Sequence, residues 1–134
     1  MRKAAWLAAL AIMVSTVAVA EHEVAVLDGT SWRLHVEPDS MAKQKGAQEF
    51  KPTMTFADGN VTLTNSKGAF DPSPYSVEKT DKKELTFKTE QSSPTEGTSV
   101  WTGTIHEGSI EGKRVWTKVT GEVWTYTFKG EKAK

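Results

Sequence analysis

The feature that most constrains this chain is a period of two. From Ser31 onward, apolar and polar residues alternate in short runs separated by turn residues, and such runs are half-buried β-strands rather than helices. "SWRLHVE" puts Trp32, Leu34 and Val36 on one face and Arg33, His35 and Glu37 on the other. "TMTFADGNVTLT" is a hairpin, with Met54, Phe56, Val61 and Leu63 around a turn at Asp58-Gly59, a pair that tolerates the positive backbone angles of a tight hairpin. "SPYSVEKT" and "KELTFKTE" are joined across the polar turn Asp81-Lys82, and "TSVWTGTIHEGSIEGKRVWTKV" folds back at Glu107-Gly108. "EVWTYTF" is the last run. Eight short strands with short links predict an all-β fold, an antiparallel meander forming a barrel or near-barrel.

One segment breaks the alternation. "PDSMAKQKGAQEF" offers Asp39 and Ser40 as helix caps, then helix formers interrupted by Gly46. It reads as one short helix or ordered loop after the first strand, either near the open end of a barrel or as a solvated connector.

The register of the final hairpin follows from its loop. If Val119-Thr120-Gly121 is a three-residue loop with Gly121 left-handed, Lys118 faces Glu122. Counting back, Trp116 lies opposite Trp124, Arg114 opposite Tyr126 and Gly112 opposite Phe128, so the four aromatics share a face. A two-residue loop at Thr120-Gly121 would strand one large indole in solvent, and the bulged register is the expectation.

Residues 1–20, "MRKAAWLAALAIMVSTVAVA", have the form of a secretory signal peptide. Arg2 and Lys3 precede an apolar run, and Ala18-Val19-Ala20 provides small residues before a cut. Residues 21–134 are then one exported domain, periplasmic or secreted, with no stable membrane insertion after cleavage. Removing Arg2 and Lys3 from the seventeen basic residues leaves fifteen against seventeen acidic ones, a net charge of −2. That balance argues against nucleic acid as a partner, which calls for a concentrated basic patch. The chain has no cysteine, so neither disulfides nor thiol chemistry enter, and an apolar core must hold the domain together. The sequence carries no signal of oligomeric state.

Taken together, "LDGTSWRL", the helical insert, "TFADGNVT", "SPYSVE" and the close "GSIEGKRVWTK…GEVWTYTFKG" resemble the small exported bacterial proteins described as lipocalin-like, within the calycin group. The likeness spans nearly all of the mature chain. It implies a lipocalin-like barrel in which Gly29 and Trp32 open the first strand and the tryptophan plugs one end. META-type envelope domains share a tryptophan-bearing first strand, but their glycine-cysteine-asparagine signature is absent here.

No catalytic motif emerges, and a non-enzymatic protein is expected. By alternation His35 and His106 face away from Trp32 and Trp101, which leaves no histidine for a nucleophile-histidine-carboxylate constellation. At the new amino terminus His22 could join the terminal amine in holding copper or nickel, although a solvated terminus is the simpler reading; no metal site or cofactor is assigned. Arg114 is the sharper candidate. It either points inward among Trp116, Trp124 and Tyr126, where a buried charge calls for a partner, or lies at the rim, stacked on an indole and reaching water. The inward arrangement resembles the way intracellular fatty-acid carriers, also calycins, hold a carboxylate with arginine and tyrosine. The residues point to a small, mainly apolar ligand, with an acidic group as an open option, lined by Trp32, Trp101, Arg114, Trp116, Trp124 and Tyr126. The competing expectation is a structural or interaction protein of the cell envelope whose barrel is filled by its own side chains.

Overall fold

The computed structural model describes residues 26–64, 70–81 and 83–133; residues 1–20, expected to be a signal peptide, and His22 lie outside them. Eight strands follow one another around a closed, wholly antiparallel barrel. They are β1 (Thr30–Pro38), β2 (Thr53–Ala57), β3 (Asn60–Thr64), β4 (Ser73–Asp81), β5 (Glu84–Ser93), β6 (Gly97–His106), β7 (Ser109–Thr117) and β8 (Val123–Lys132). The last strand closes on the first, Val36 lying opposite Phe128. Closure removes the free sheet edges that an open meander would expose.

One short helix, α1 (Ser40–Gln44), follows β1, capped by the Asp39 carboxylate, which accepts a hydrogen bond from the Ala42 amide at 2.8 Å. The insert is more than a solvated connector. Ala42 and Ala47 are buried, and Phe50 returns to β1 through paired backbone bonds with Val36. The helix, residues 94–96 and the β7–β8 loop mark one end of the barrel, called here the helix end. The turns at Asp58-Gly59 and Glu107-Gly108 mark the other. All four of those turn residues have positive φ, as a two-residue hairpin with this twist requires. The turn expected at Asp81-Lys82 sits slightly later, since Asp81 still pairs with Glu84 in the ladder and Lys82 is outside the described residues.

Register in the closing hairpin is the bulged one. Gly121 has φ +93°, the Lys118 amide donates to the Glu122 carbonyl at 2.8 Å, and Trp116 lies opposite Trp124. Inside, a run of rings follows the barrel: Tyr75 against Phe56 (centroids 4.8 Å), Phe56 against Phe87 (5.3 Å), Phe87 against Phe128 (6.4 Å) and Phe128 against Trp101 (5.4 Å). Aromatic pairs of this kind contribute about 0.5–1.5 kcal/mol each beyond their area burial. Three inward positions, Gly103, Gly112 and Gly130, carry no side chain at all. A Cβ on Gly112 would lie 2.0 Å from the Thr102 carbonyl oxygen and 2.8 Å from the Phe128 ring, and one on Gly103 would meet Phe87 at 2.6 Å. Glycine there lets β6 and β7 bend inward while the two phenylalanines fill the space.

The β3–β4 seam is the shortest, two residue pairs long. Asp28 ties it from below: its carboxylate accepts from the Gly59 amide at 3.1 Å and from the Tyr75 hydroxyl at 2.7 Å.

Candidate functional site

Polar groups inside the barrel are not spread evenly. Thr89, Gln91, Ser99 and Arg114 are buried on β5, β6 and β7, and their strand positions place all four toward the helix end. The opposite end is closed by apolar side chains around Trp32, Met54 and Phe56, each with at most 2 % of its surface exposed.

Arg114 stands at the centre of the polar half. In the ladder it is opposite Trp101 on β6 and Tyr126 on β8, so its side chain must point the way theirs do. It is 5 % exposed, and this displaces the rim reading: the guanidinium is inside. Its Nε donates to Ser99 Oγ at 2.8 Å. Five ring centroids surround the guanidinium carbon, those of Tyr126 (5.0 Å), Trp116 (5.2 Å), Trp101 (5.3 Å), Phe50 (5.7 Å) and Phe70 (5.9 Å). Stacking against indoles, expected at the rim, thus occurs in the interior, where desolvation strengthens it.

Among the described residues no carboxylate lies within ion-pair distance of Arg114. Burial pulls its pKa down to about 10, with the neighbouring Tyr126 hydroxyl acting in the opposite sense. The group therefore remains a cation at neutral pH. Burial also raises the pKa of Tyr126, which the Arg114 charge partly offsets. What results is a desolvated positive charge in an aromatic cage with neutral hydrogen-bond partners. Chemically it can receive an anion, and the rings around it can receive the apolar body to which that anion is attached.

The indoles near this cage are held by their nitrogens. Trp101 donates to Gln91 Oε1 (3.2 Å), Trp116 to the Glu96 carbonyl (2.7 Å) and Trp124 to Glu122 Oε1 (2.6 Å). Lys118 sits over the Trp124 ring, 3.3 Å from its centroid, and so covers the outer side of the pair at the helix end. Trp101, Arg114, Trp116, Trp124 and Tyr126, expected to act together, are brought together. Trp32 is not among them. It lies toward the opposite end, 2 % exposed, with its indole nitrogen donating to Thr30 Oγ1 at 3.1 Å.

Three members of the cage were not singled out from the sequence. Ser99 shares the parity of Trp101 on one strand and was accessible by alternation. Phe50 and Phe70 come from connections without a period, and nothing local marks them as interior. A separate open groove of about 1200 Å³ crosses the outer wall at mid-height, lined by outward side chains such as Lys88, Thr102, Lys113 and Lys129, and does not include the Arg114 cage. No family model, curated protein or solved structure matches the chain.

Proposed function

We propose that this protein is an exported, lipocalin-like, non-enzymatic barrel that binds a small, mainly apolar molecule carrying an acidic group, at the helix end. The observation that carries the reading is the buried Arg114 among Trp101, Trp116, Tyr126, Phe50 and Phe70, with no carboxylate within ion-pair distance among the described residues. A core that only needed filling would place a Leu or Met there, because an unpaired buried charge is unfavourable. An anionic ligand offsets that cost, whereas the free protein bears it. The ligand's anion pairs with the guanidinium, Tyr126 contributes its hydroxyl, and the indoles of Trp116 and Trp124 flank the apolar portion. The signal-like segment at residues 1–20 supports export.

A second reading, a structural or interaction protein of the envelope with a side-chain-filled barrel, is favoured by a different observation. Phe87 and Phe128 occupy the space above Gly103 and Gly112, and Phe56, Met54 and Val61 are fully buried. The two readings part on binding. A carboxyl-¹³C-labelled medium-chain fatty acid titrated with the protein should show a bound resonance whose carboxyl pKa is depressed by the guanidinium, and Arg114→Met should abolish that depression. A bound resonance titrating like the free acid, or none at all, would leave the filled barrel as the better account.

A further inference from the structure

The outer face of β1 holds a second cluster, unrelated to the cage. His35 and Glu37 are two residues apart and point outward, and Glu49 reaches them from the segment between α1 and β2. His35 Nε2 lies 3.0 Å from Glu49 Oε2 and 3.4 Å from Glu37 Oε1, and one ligand atom from each of the three falls within 4.8 Å of the others. Tetrahedral ligands held at about 2.0–2.2 Å from a zinc ion stand roughly 3.3–3.6 Å apart. The cluster is thus close to one face of such a tetrahedron before any ion enters.

The backbone fixes this arrangement. Val36 and Phe50 exchange hydrogen bonds, Val36 N to Phe50 O at 2.9 Å and Phe50 N to Val36 O at 3.0 Å. That mutual pair sets Glu37 directly opposite Glu49. Like charges facing one another across paired strands are destabilising, and among the described residues neither carboxylate has a lysine or arginine within ion-pair distance. The surrounding cations stand farther off: Lys43 and Lys51 act on Glu49 only at longer range, while Lys129 on β8 is opposite His35 in the ladder, with Thr127 opposite Glu37. Two carboxylates converge on one imidazole, which in the free protein is their nearest partner, and a metal ion replacing the imidazole proton would meet all three groups at once.

We propose that His35, Glu37 and Glu49 bind a divalent cation of the Zn²⁺ type. One imidazole nitrogen with two carboxylate oxygens suits a borderline metal, whereas Ca²⁺ and Mg²⁺ take all-oxygen shells. Three protein ligands on an exposed face leave at least one position open to water. By alternation His35 is only a surface residue, and Glu49 reaches it across the helical insert.

The test is a calorimetric titration of Zn²⁺ into the full, untagged chain at neutral pH. One saturable site in the micromolar range is expected, unaffected by excess Mg²⁺. His35→Ala and Glu49→Gln should each weaken it by about 10-fold or more, and Glu37→Gln gives an independent removal of the third ligand. His22→Ala should leave it intact, which separates this site from the amino terminus. Positions 35, 37 and 49 lie outside the barrel core, and near-ultraviolet circular dichroism of the tryptophans verifies that each variant is folded. Absence of saturable binding, binding unchanged in folded His35→Ala, or binding lost with His22→Ala would each overturn the proposal.

Discussion

Trp116 and Trp124 face one another across the last hairpin, their centroids 5.5 Å apart and their planes at 81°. The pair exists only because Gly121 adopts a left-handed conformation and closes a three-residue loop. Edge-to-face indoles this close couple their excited states, so the protein should show a strong tryptophan couplet in circular dichroism. Trp116→Phe and Trp124→Phe should each remove the couplet entirely rather than halve it. A couplet surviving either change would mean that the indoles are not partners.

Glycine at positions 103 and 112 is a packing requirement rather than a conformational one. Gly112→Ala should destabilise the barrel by about 1–3 kcal/mol, as overpacking does, because its Cβ meets backbone at 2.0 Å from the Thr102 oxygen. Gly103→Ala should cost less, since its closest neighbour is the Phe87 ring edge. Urea denaturation of the two variants checks both the size and the order.

The chain has only two tyrosines, and both are shifted the same way. Burial raises the pKa of each; for Tyr75 the hydrogen bond to Asp28 adds to the rise, and for Tyr126 the Arg114 charge partly opposes it. In the unfolded chain both ionise near pH 10. Above that pH the folded state keeps protons that the unfolded state has released, so stability present below pH 10 is lost as pH rises. Tyrosinate absorbance should therefore appear late in a native titration, and a tyrosine ionising at or below pH 10 would contradict the buried placement of that ring. Arg114→Met should push Tyr126 higher still.

Arg114 should also be costly to the empty protein. Its pKa is lowered because burial disfavours the charge more than Tyr126 favours it. Replacing it by an apolar side chain of similar length removes that penalty, and Arg114→Met should stabilise the ligand-free barrel by about 1 kcal/mol. A loss of several kcal/mol instead would mean that Ser99 and the rings hold the fold through the guanidinium.

How far the sequence revealed these features depended on whether a residue belonged to a periodic run. Trp116, Trp124, Tyr126 and Arg114 lie on two strands joined by a short loop, and one assumption about Gly121 set all their partners. The depth of Arg114 was not legible. It depends on Phe50 and Phe70, which arrive from connections where no alternation states which way a side chain points, and burial is a sum over all neighbours. Trp32 shows the converse limit: alternation placed it correctly on the inner face, but a period of two says nothing about which end of the barrel a residue occupies. The His35, Glu37 and Glu49 cluster required the Val36–Phe50 bridge, a contact across the helical insert that no local pattern encodes.

The claim that Arg114 is a ligand-binding cation is tested most directly by comparing an apolar fatty acid with its methyl ester, using quenching of tryptophan emission in the wild-type protein and in Arg114→Met. Burying about 300 Å² of apolar ligand surface at ~25 cal/mol per Å² provides roughly 7.5 kcal/mol before association costs, enough for micromolar binding. The acid should bind the wild type saturably and at least about 10-fold more tightly than the ester, a difference of about 1.4 kcal/mol, and Arg114→Met should erase that preference while leaving ester binding nearly unchanged. Equal affinity for acid and ester in the wild type, or no saturable binding of either, would contradict the account.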